Sequence, residues 1–404
     1  MTESRYHIAI VGGGIVGLAV ALEITQQFPH LRLLLLEKEA RVGQHQSTHN
    51  SGVIHSGVYY RPGSLKAKLC VTGAAAMVNF CREHGIPHQI CGKVIVTTQE
   101  EELPRLQELQ RRGEANGLTG LRSLAPEELR EIEPHAAGLR ALLVPSAGIT
   151  DYAAVCDKYA ELIIQQGGTI LTSHAVTSIE RRTDEIILET NRGAFSTHSL
   201  INCGGLFSDR IARMAGDDPQ VTIVPFRGEY YNLIPQRSSL VRALIYPVPD
   251  PRFPFLGVHF TRRIGGSVDA GPNAVLALRR EGYKRSDFHL HDMASALVFP
   301  GFWRMAARNW RSGIAEFRRS FSKAEFVRAL QKLVPEISAT DLVPGGSGVR
   351  AQALTRAGAL VDDFRFVQSH KILHVLNVPS PAATASLMIA RAIVKQSAAE
   401  LELK

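Results

Sequence analysis

The pattern of apolar and polar residues at the start of the chain predicts three consecutive elements. Residues 8–11 are apolar and predict a buried strand, residues 18–25 have helical periodicity, and four leucines at 33–36 predict a second strand. Between the first strand and the helix lies the sequence Gly12-Gly13-Gly14-Ile15-Val16-Gly17. This order of elements predicts a Rossmann-like strand–turn–helix–strand unit.

The glycine spacing in this unit fits a dinucleotide-binding turn. Gly12 permits the tight turn, Gly14 lets a pyrophosphate approach the backbone, and Gly17 lets helix and strand pack closely. Glu37 follows the second strand, 20 residues after Gly17, and can accept hydrogen bonds from ribose hydroxyls. Lys38 is a further candidate contact. The helix N-terminus offers N–H groups and a positive dipole to the phosphates.

The next segment, residues 44–60, is polar, small and rich in histidine. Small residues and hydroxyls let backbone N–H groups approach a planar polar ligand. The alternative is a solvated loop, but its position after the dinucleotide motif favours a ligand-contacting loop. Within it, Thr48, Asn50 and Ser51 are candidate cofactor contacts, and His55 is a candidate for positioning cofactor or substrate.

Two later patterns predict further sheet structure, the first as a return to the nucleotide-binding sheet and the second as a small sheet. Residues 200–203 predict a strand that ends at Gly204 and leads into a helix. Strand patterns between residues 169 and 190 predict a small sheet, in which Val176 is a candidate cofactor contact.

The C-terminal region adds further candidates. Residues 343–352 predict a glycine-rich turn that contains Gly346 and a buried Arg350. Residues 381–395 predict a long helix whose first residues are small, with Pro381, Ala382 and Thr384 as candidate cofactor contacts.

The motif alone would serve either FAD or NAD. FAD is favoured because the motif lies at the N-terminus, no second GxGxxG is present for a nicotinamide cofactor, and the sheet is revisited twice later in the chain. An NAD-dependent dehydrogenase would more often have a contiguous nucleotide domain.

Residues 221–285 predict an antiparallel sheet, because they are rich in strand-forming and aromatic residues and punctuated by proline. Such a sheet could cover a planar cofactor. The predicted fold is α/β, with a Rossmann-like FAD-binding domain interleaved with an antiparallel-sheet substrate domain. The FAD-binding domain would comprise residues 1–90, 148–220 and 340–404, and the substrate domain residues 91–147 and 221–339.

Composition narrows the class of protein. The 404 residues are 45% hydrophobic, which supports a large core, and no apolar run is long enough to span a bilayer. Five cysteines without a CxxC pair predict reduced thiols in a cytoplasmic protein, with neither a disulfide framework nor a metal site. The net charge of +8 suits an acidic substrate or an anionic lipid surface, and no nucleic-acid motif accompanies it.

The chain resembles the D-amino-acid oxidase/glycerol-3-phosphate dehydrogenase superfamily of flavoproteins. The matching stretches span nearly the whole sequence and are residues 49–60, 62–67, 225–231, 246–249, 256–261, 271–274, 348–350 and 380–384. Within the superfamily, the resemblance is to members that oxidise L-2-hydroxyglutarate to 2-oxoglutarate. It implies FAD held non-covalently and electrons passed to a membrane quinone. Some members attach flavin through a cysteine near the region of Arg350, where this sequence has none.

Oxidation of a 2-hydroxy dicarboxylate needs a base, a cationic clamp and donors for the distal carboxylate. The resemblance places the strand around His259 against the flavin, so we assign His259 as base and His55 as a positioning residue, with a structural histidine as the alternative for each. It also implies that Arg350 clamps the substrate carboxylate, although a salt-bridged arginine at a strand end remains open. Candidates for the distal carboxylate are Tyr246, Tyr230 and Thr261.

Residues 297–332 combine aromatic and cationic side chains at helical spacing, including both tryptophans, Trp303 and Trp310. The pattern fits an interfacial helix on anionic lipid, which would place the protein peripherally on the inner membrane. It fits equally an ordinary amphipathic helix with a basic face.

Two rival functions remain at this stage. One is a related flavoprotein that acts on another 2-hydroxy acid, glycerol-3-phosphate or an amino acid. The other is a flavin-fold binding protein or a tRNA-modification partner. The presence of His55 and His259 together with Arg350 argues against it, because a binding module needs no base.

Overall fold

The computed structural model describes residues 5–250 and 256–403; of residues 311, 312, 314–319 and 321 it describes the backbone alone. The strands are β1 (Tyr6–Val11), β2 (Leu33–Leu36), β3 (Val53–Ile54), β4 (His88–Gln89), β5 (Lys93–Thr97), β6 (Arg122–Leu124), β7 (Arg140–Val144), β8 (Gly148–Thr150), β9 (Thr169–Leu171), β10 (Val176–Arg181), β11 (Ile186–Thr190), β12 (Gly193–Asn202), β13 (Val221–Leu233), β14 (Leu244–Pro247), β15 (His259–Arg262), β16 (Val268–Gly271), β17 (Val275–Leu276), β18 (Leu342–Thr355), β19 (Arg365–Ser369) and β20 (Ile372–Asn377).

The helices are α1 (Ile15–Gln27), α2 (Leu65–Glu83), α3 (Leu103–Ala115), α4 (Pro126–Ile132), α5 (Tyr152–Gln165), α6 (Ser208–Met214), α7 (Leu290–Leu297), α8 (Pro300–Phe321), α9 (Lys323–Gln331) and α10 (Ser386–Ser397).

The first sheet is the predicted nucleotide-binding sheet. Its parallel part runs in the order β9-β2-β1-β12-β20, and β10 and β11 extend it antiparallel from β12. Because successive side chains of a strand point to opposite faces, Ile8 and Ile10 of β1 pack into one core and Ala9 and Val11 into another. Helices α1, α2, α5 and α10 contribute to the first of these cores and α6 to the second, so both faces of the sheet are covered.

The second sheet is largely antiparallel, in the order β17-β13-β16-β15-β14-β5-β7-β6, with β18 paired to β13. The only parallel pair among these described strands joins β14 to β5. Helix α9 packs Phe326, Val327 and Leu330 into the core beneath this sheet. A third sheet has three strands in the order β3-β8-β4, of which β3 lies in the histidine-rich segment.

Three local predictions are wrong. Residues 343–352 form part of a 14-residue strand, β18, because backbone pairing with β13 from Leu233 to Val221 overrides the turn preference of the glycines. The C-terminal helix begins at Ser386, and residues 381–385 form a turn before it. The strands predicted as a small sheet instead extend the first sheet, through β9 on β2 and through β10 and β11 on β12.

The α/β class and the division into a largely parallel sheet and an antiparallel one agree with the sequence prediction. The domain boundaries themselves stay a prediction. Strand β18, within the predicted segment 340–404, pairs along its length with β13 of the second sheet.

Candidate active site

The turn after β1 and the start of α1 pack so closely that Gly12 and Gly17 leave no room for a side chain. Gly12 has a φ of +112°, and a Cβ there would lie 2.4 Å from the carbonyl oxygen of Cys203. A Cβ on Gly17 would lie 2.0 Å from the carbonyl oxygen of Gly12. The glycines therefore let the turn, β12 and α1 approach one another, as the motif requires.

The N-terminus of α1 opens onto this turn. Its N-cap residue is Gly14, which offers no side-chain cap. The N–H of Ile15 donates to Ser47 Oγ at 2.8 Å, which ties the histidine-rich loop to the helix. The uncapped N-terminus, with its positive dipole end, is a natural site for phosphate.

Glu37 is 7% exposed and is held by the backbone on both sides. Its Oε2 accepts from the N–H of Gly13 at 2.7 Å and its Oε1 from the N–H of Glu39 at 2.9 Å. A carboxylate can accept about four hydrogen bonds, so it retains acceptor capacity for ribose hydroxyls. Neighbouring Lys38 forms an ion pair with Glu281 at 2.6 Å, which joins the segment after β17 to the nucleotide end.

A cavity of about 1490 Å³ runs from the glycine turn to β15. Its walls include most of the predicted site residues: Gly12, Gly14, Gly17, Glu37, Lys38, Asn50, Ser51, His55, Val176, Gly204, Tyr230, Tyr246, His259, Arg350, Pro381, Ala382 and Thr384. Its volume exceeds the usual range for small-molecule pockets, as a dinucleotide with a substrate beside it requires.

Three predicted residues do not line this cavity. Thr48 donates its hydroxyl to the carbonyl of Gly43 at 2.6 Å and so stabilises the loop. Gly346 lies on β18 two residues before Gly348, where the lining part of this strand begins. Thr261 lies behind the wall, where its Oγ1 is 3.3 Å from the hydroxyl of Tyr246.

Two of the lining residues have side chains that are already engaged within the protein. The side chain of Asn50 donates to Ser47 O at 2.7 Å and accepts from the N–H of Gly52 at 2.8 Å. Thr384 Oγ1 accepts from the N–H of His55 at 3.1 Å and lies 3.0 Å from the hydroxyl of Tyr152. These two residues therefore shape the cavity by holding its loops.

His259 points into the cavity because of its place in β15. Val258 and Phe260, on either side, are buried in the core under the second sheet, so alternation turns the histidine to the other face. Its Nδ1 lies 2.8 Å from the carbonyl oxygen of Gly257. Since a carbonyl can only accept, Nδ1 carries the proton, and in the neutral ring Nε2 has a free lone pair.

The electrostatic surroundings keep His259 neutral. Burial lowers its pKa to about 3, the positive charges of Lys93 and Arg350 lower it further, and the bond to Gly257 opposes them. The ring stacks on that of Tyr246, with centroids 3.9 Å apart. His259 is thus a neutral, buried imidazole whose orientation is fixed.

His55 lies in the same cavity and is also neutral. Burial first, then the charge of Lys93, holds its pKa well below the usual range. Its Nε2 lies 3.4 Å from Ser380 Oγ, at the turn before α10. The structure therefore brings both candidate histidines into one cavity, together with Arg350 from β18 and Tyr230 from β13.

Four residues near the cavity were missed by the sequence argument. Gln46 accepts from the N–H of Ala351 at 2.9 Å and joins the histidine-rich loop to β18, and Ser47 holds the start of α1. Tyr59 lines the cavity, and Lys93 lies buried behind it. Among these four residues, only Lys93 could have been noticed in the sequence, because a lysine beside the apolar residues of β5 predicts an unusual buried charge.

The FAD dependent oxidoreductase family matches residues 7–396 of the chain. The chain belongs to this family. Similar proteins include the L-2-hydroxyglutarate dehydrogenase of Indibacter alkaliphilus, 51% identical over 95% of this chain and 96% of that protein. The human mitochondrial L-2-hydroxyglutarate dehydrogenase is 44% identical over 100% of this chain and 90% of its own length, and that of Escherichia coli K12 is 43% identical over 97% and 93%.

Solved structures agree on the fold of this FAD-dependent oxidoreductase. L-alpha-glycerophosphate oxidase from Mycoplasma pneumoniae, a structure with FAD bound, has a TM-score of 0.80 at 23% identity and covers 97% of this chain and 94% of that one. Glycine oxidase from Geobacillus kaustophilus has a TM-score of 0.73 at 18% identity, covering 100% and 96%. The expectation of FAD over NAD is confirmed.

The residues present fit FAD. The glycine turn and the uncapped N-terminus of α1 would hold the pyrophosphate, and Glu37 the ribose. When bound, FAD supplies a two-electron acceptor for hydride. Cys203, a cavity-lining cysteine, lies at the glycine turn, and burial raises the pKa of its thiol to about 12.

Proposed function

We propose that this protein oxidises L-2-hydroxyglutarate to 2-oxoglutarate, with non-covalent FAD as the hydride acceptor. The relatives that match over nearly its whole length at 43–51% identity are named for this substrate. The observation in the structure that carries the proposal is the neutral His259 with a free Nε2, in one cavity with Arg350.

His259 would accept the proton of the substrate hydroxyl at Nε2. The imidazole is unprotonated at neutral pH and fixed by Gly257, so no proton must be lost before reaction. An anionic substrate beside it would raise its pKa and strengthen it as a base. The chain thus supplies a base that becomes effective when substrate is bound.

Arg350 would hold the carboxylate next to the hydroxyl. A guanidinium offers two parallel N–H donors that match the two oxygens of a carboxylate. Tyr246 and Tyr230, both cavity-lining, would face the distal carboxylate, and Thr261 would orient Tyr246 through their 3.3 Å contact. His55, fixed at Thr384 and near Ser380, would position the flavin or the substrate.

Anaerobic bleaching of the flavin tests the proposal directly. Purified protein should show flavin absorbance bands, and L-2-hydroxyglutarate should bleach them with stoichiometric formation of 2-oxoglutarate. D-2-hydroxyglutarate, other 2-hydroxy acids, glycerol-3-phosphate and amino acids form the comparison panel. Faster bleaching by one of these than by L-2-hydroxyglutarate would assign the site to the rival substrate.

We also propose that the electron acceptor is a quinone in the membrane. Reduction of quinone to quinol takes up the two electrons and two protons that the hydroxy acid loses. Apolar side chains around α7 and α8 are exposed to solvent: Phe288 (54%), Leu290 (66%), Val298 (81%), Trp303 (60%) and Trp310 (56%). Large exposed apolar residues grouped in this way are typical of interaction sites.

Basic residues accompany these apolar side chains, as an anionic lipid surface would require. Arg304 and Arg308 of α8 are exposed, whereas the side chains of Arg311, Phe317, Arg318, Arg319 and Phe321 lie outside the described residues. Among the helices of the described chain, none has the length and apolar character needed to cross a bilayer. The proposed mode of attachment is therefore peripheral.

Co-sedimentation with vesicles containing anionic lipid tests the attachment. The double variant V298S/W303S should lose binding, while I164S, which removes a similarly exposed apolar side chain from α5, should not. Binding should fall with added salt. Equal binding by both variants, or none by the unaltered protein at low salt, would remove the membrane from the proposal.

A further inference from the structure

A buried lysine lies behind the substrate end of the cavity. Lys93, the first residue of β5, is 1% exposed. Its Nζ lies 4.0 Å from the ring centroid of Tyr246 and 5.2 Å from that of Tyr59. Both tyrosines line the cavity, and the lysine does not. The ammonium group is therefore separated from the cavity by two aromatic side chains.

Within residues 5–250 and 256–403, Lys93 has no carboxylate partner. The groups that favour its charged form are the thiols of Cys70 and Cys91, and burial raises the pKa of both thiols, Cys70 to about 12, so they stay uncharged at neutral pH. Ring faces attract a cation, but more weakly than a carboxylate does. A buried ammonium without a counter-ion costs folding free energy.

The wall next to Lys93 also contains an unsatisfied polar atom. The hydroxyl of Tyr59 is buried and has no hydrogen-bond partner among the described residues. An anion in the cavity would stabilise the buried cation through space, and the buried hydroxyl of Tyr59 could orient its dipole towards the same anion.

We propose that Lys93 is a positioning residue for a dianionic substrate: from behind Tyr246 and Tyr59, its charge attracts the carboxylate that Arg350 does not hold. The proposal rests on the proposed function for the identity of the substrate. It explains why the fold keeps a cation where an apolar residue would pack at lower cost, and it gives the dipole of the Tyr59 hydroxyl an anion towards which it can point.

The charge of Lys93 should change within the physiological pH range. Burial lowers its pKa to about 7, so it is charged below this pH and neutral above it. His55 and His259, which face it across the wall, remain neutral throughout, and Tyr59 and Tyr246 remain protonated because burial raises their pKa. The other cationic side chains that act on these histidines are Lys66 of α2 and Arg350 of β18.

Substrate charge changes little across this range, because carboxyl groups lose most of their protons below pH 6; any residual protonation near pH 6 would weaken binding there, opposite to the expected trend. Affinity for a dicarboxylate should therefore fall as pH rises through about 7, and this fall should depend on residue 93. Lys93→Arg should keep the charge at all these pH values, and Lys93→Met should remove it at all of them.

The pH dependence of this affinity can be measured without turnover. The FAD-loaded protein is titrated with glutarate at each pH from 6 to 9, and flavin difference absorbance reports binding. Pentanoate replaces one carboxylate by methyl and serves as the monoanionic probe. For the unaltered protein we expect the Kd of glutarate to rise about tenfold or more across the range. Lys93→Met should bind glutarate weakly at every pH, and Lys93→Arg should bind it well to pH 9, with pentanoate unaffected in both.

Lys68→Met is the matched control, because Lys68 is exposed on α2 and lies outside the cavity lining. It should bind glutarate like the unaltered protein. A glutarate Kd that is independent of pH in the unaltered protein would overturn the inference, and this measurement needs no variant to fold. So would equal losses for glutarate and pentanoate in Lys93→Met, which would indicate a purely structural role. If glutarate binds as expected but L-2-hydroxyglutarate does not bleach the flavin, the inference stands and the proposed function fails.

Discussion

Replacement of His259 by asparagine separates its role as base from its role in the fold. The amide NH₂ of asparagine can still donate to the carbonyl of Gly257, to which Nδ1 donates now. The lone pair of Nε2 has no counterpart in asparagine. The variant therefore retains the local hydrogen bond and loses the proton acceptor.

The expected loss is large because almost every molecule carries the base in its active form. With a pKa near 3, His259 is unprotonated in essentially all of the protein at pH 7. A positioned general base contributes about 10²- to 10⁴-fold to a proton transfer. His259→Asn should lower the rate of flavin reduction by that factor, and His55→Asn by less.

Anaerobic stopped-flow absorbance measures this half-reaction and excludes the acceptor step. In the unaltered protein, kcat/KM should show no acid limb between pH 5 and 8, because the base form is lost only as pH falls through about 3. A histidine with an ordinary pKa would produce a limb near 6.5. Near-normal flavin reduction by His259→Asn, or a larger loss in His55→Asn, would move the role of base away from His259.

Three further substitutions test the clamp, the nucleotide turn and the buried ion pair between α6 and the segment after β17. Arg350→Lys should lower kcat/KM for L-2-hydroxyglutarate by about 10- to 100-fold in steady-state assays, because an ammonium cannot form the bidentate pair; an unchanged value would refute the clamp. Gly17→Ala should prevent FAD retention, measured as the flavin-to-protein absorbance ratio, because its Cβ would lie 2.0 Å from Gly12 O. Asp209→Asn should lower the free energy of unfolding by about 3–5 kcal/mol in urea titrations. The reason is that Arg280, which is 1% exposed and donates to Asp209 Oδ2 at 2.9 Å, would be buried without its charge partner. A change below about 1 kcal/mol would contradict this.

The nucleotide end could be predicted because its signals are local. The glycines of the turn, the helix after it and Glu37 lie within 26 residues, and each has a fixed job in one supersecondary unit. His259 was predicted correctly to face away from Val258 and Phe260, since strand alternation is also a local rule.

Contacts between distant segments could not be predicted in this way. The glycines of residues 343–352 favour a turn, yet β18 is a strand because β13, more than 100 residues earlier, supplies its partners. The bond from Ala351 N–H to Gln46 also joins segments 305 residues apart. Thr48 and Gly346 resembled ligand contacts in sequence, and only the path of the chain shows that neither lines the cavity.

The reactive end of the cavity combines positively charged side chains with neutral histidines. Arg350 lines the wall, Lys93 lies behind it, and burial keeps His55 and His259 unprotonated beside them. These features depend on one another: the cations that attract carboxylates also lower the pKa of the histidines, so the site holds its base ready but weak while it is empty. A dianionic substrate would neutralise the cations, and the proton affinity of His259 would rise at the moment when a hydroxyl is in place to be deprotonated. A neutral alcohol would gain neither binding nor an activated base, so the same charges would select both the substrate and the timing of proton transfer.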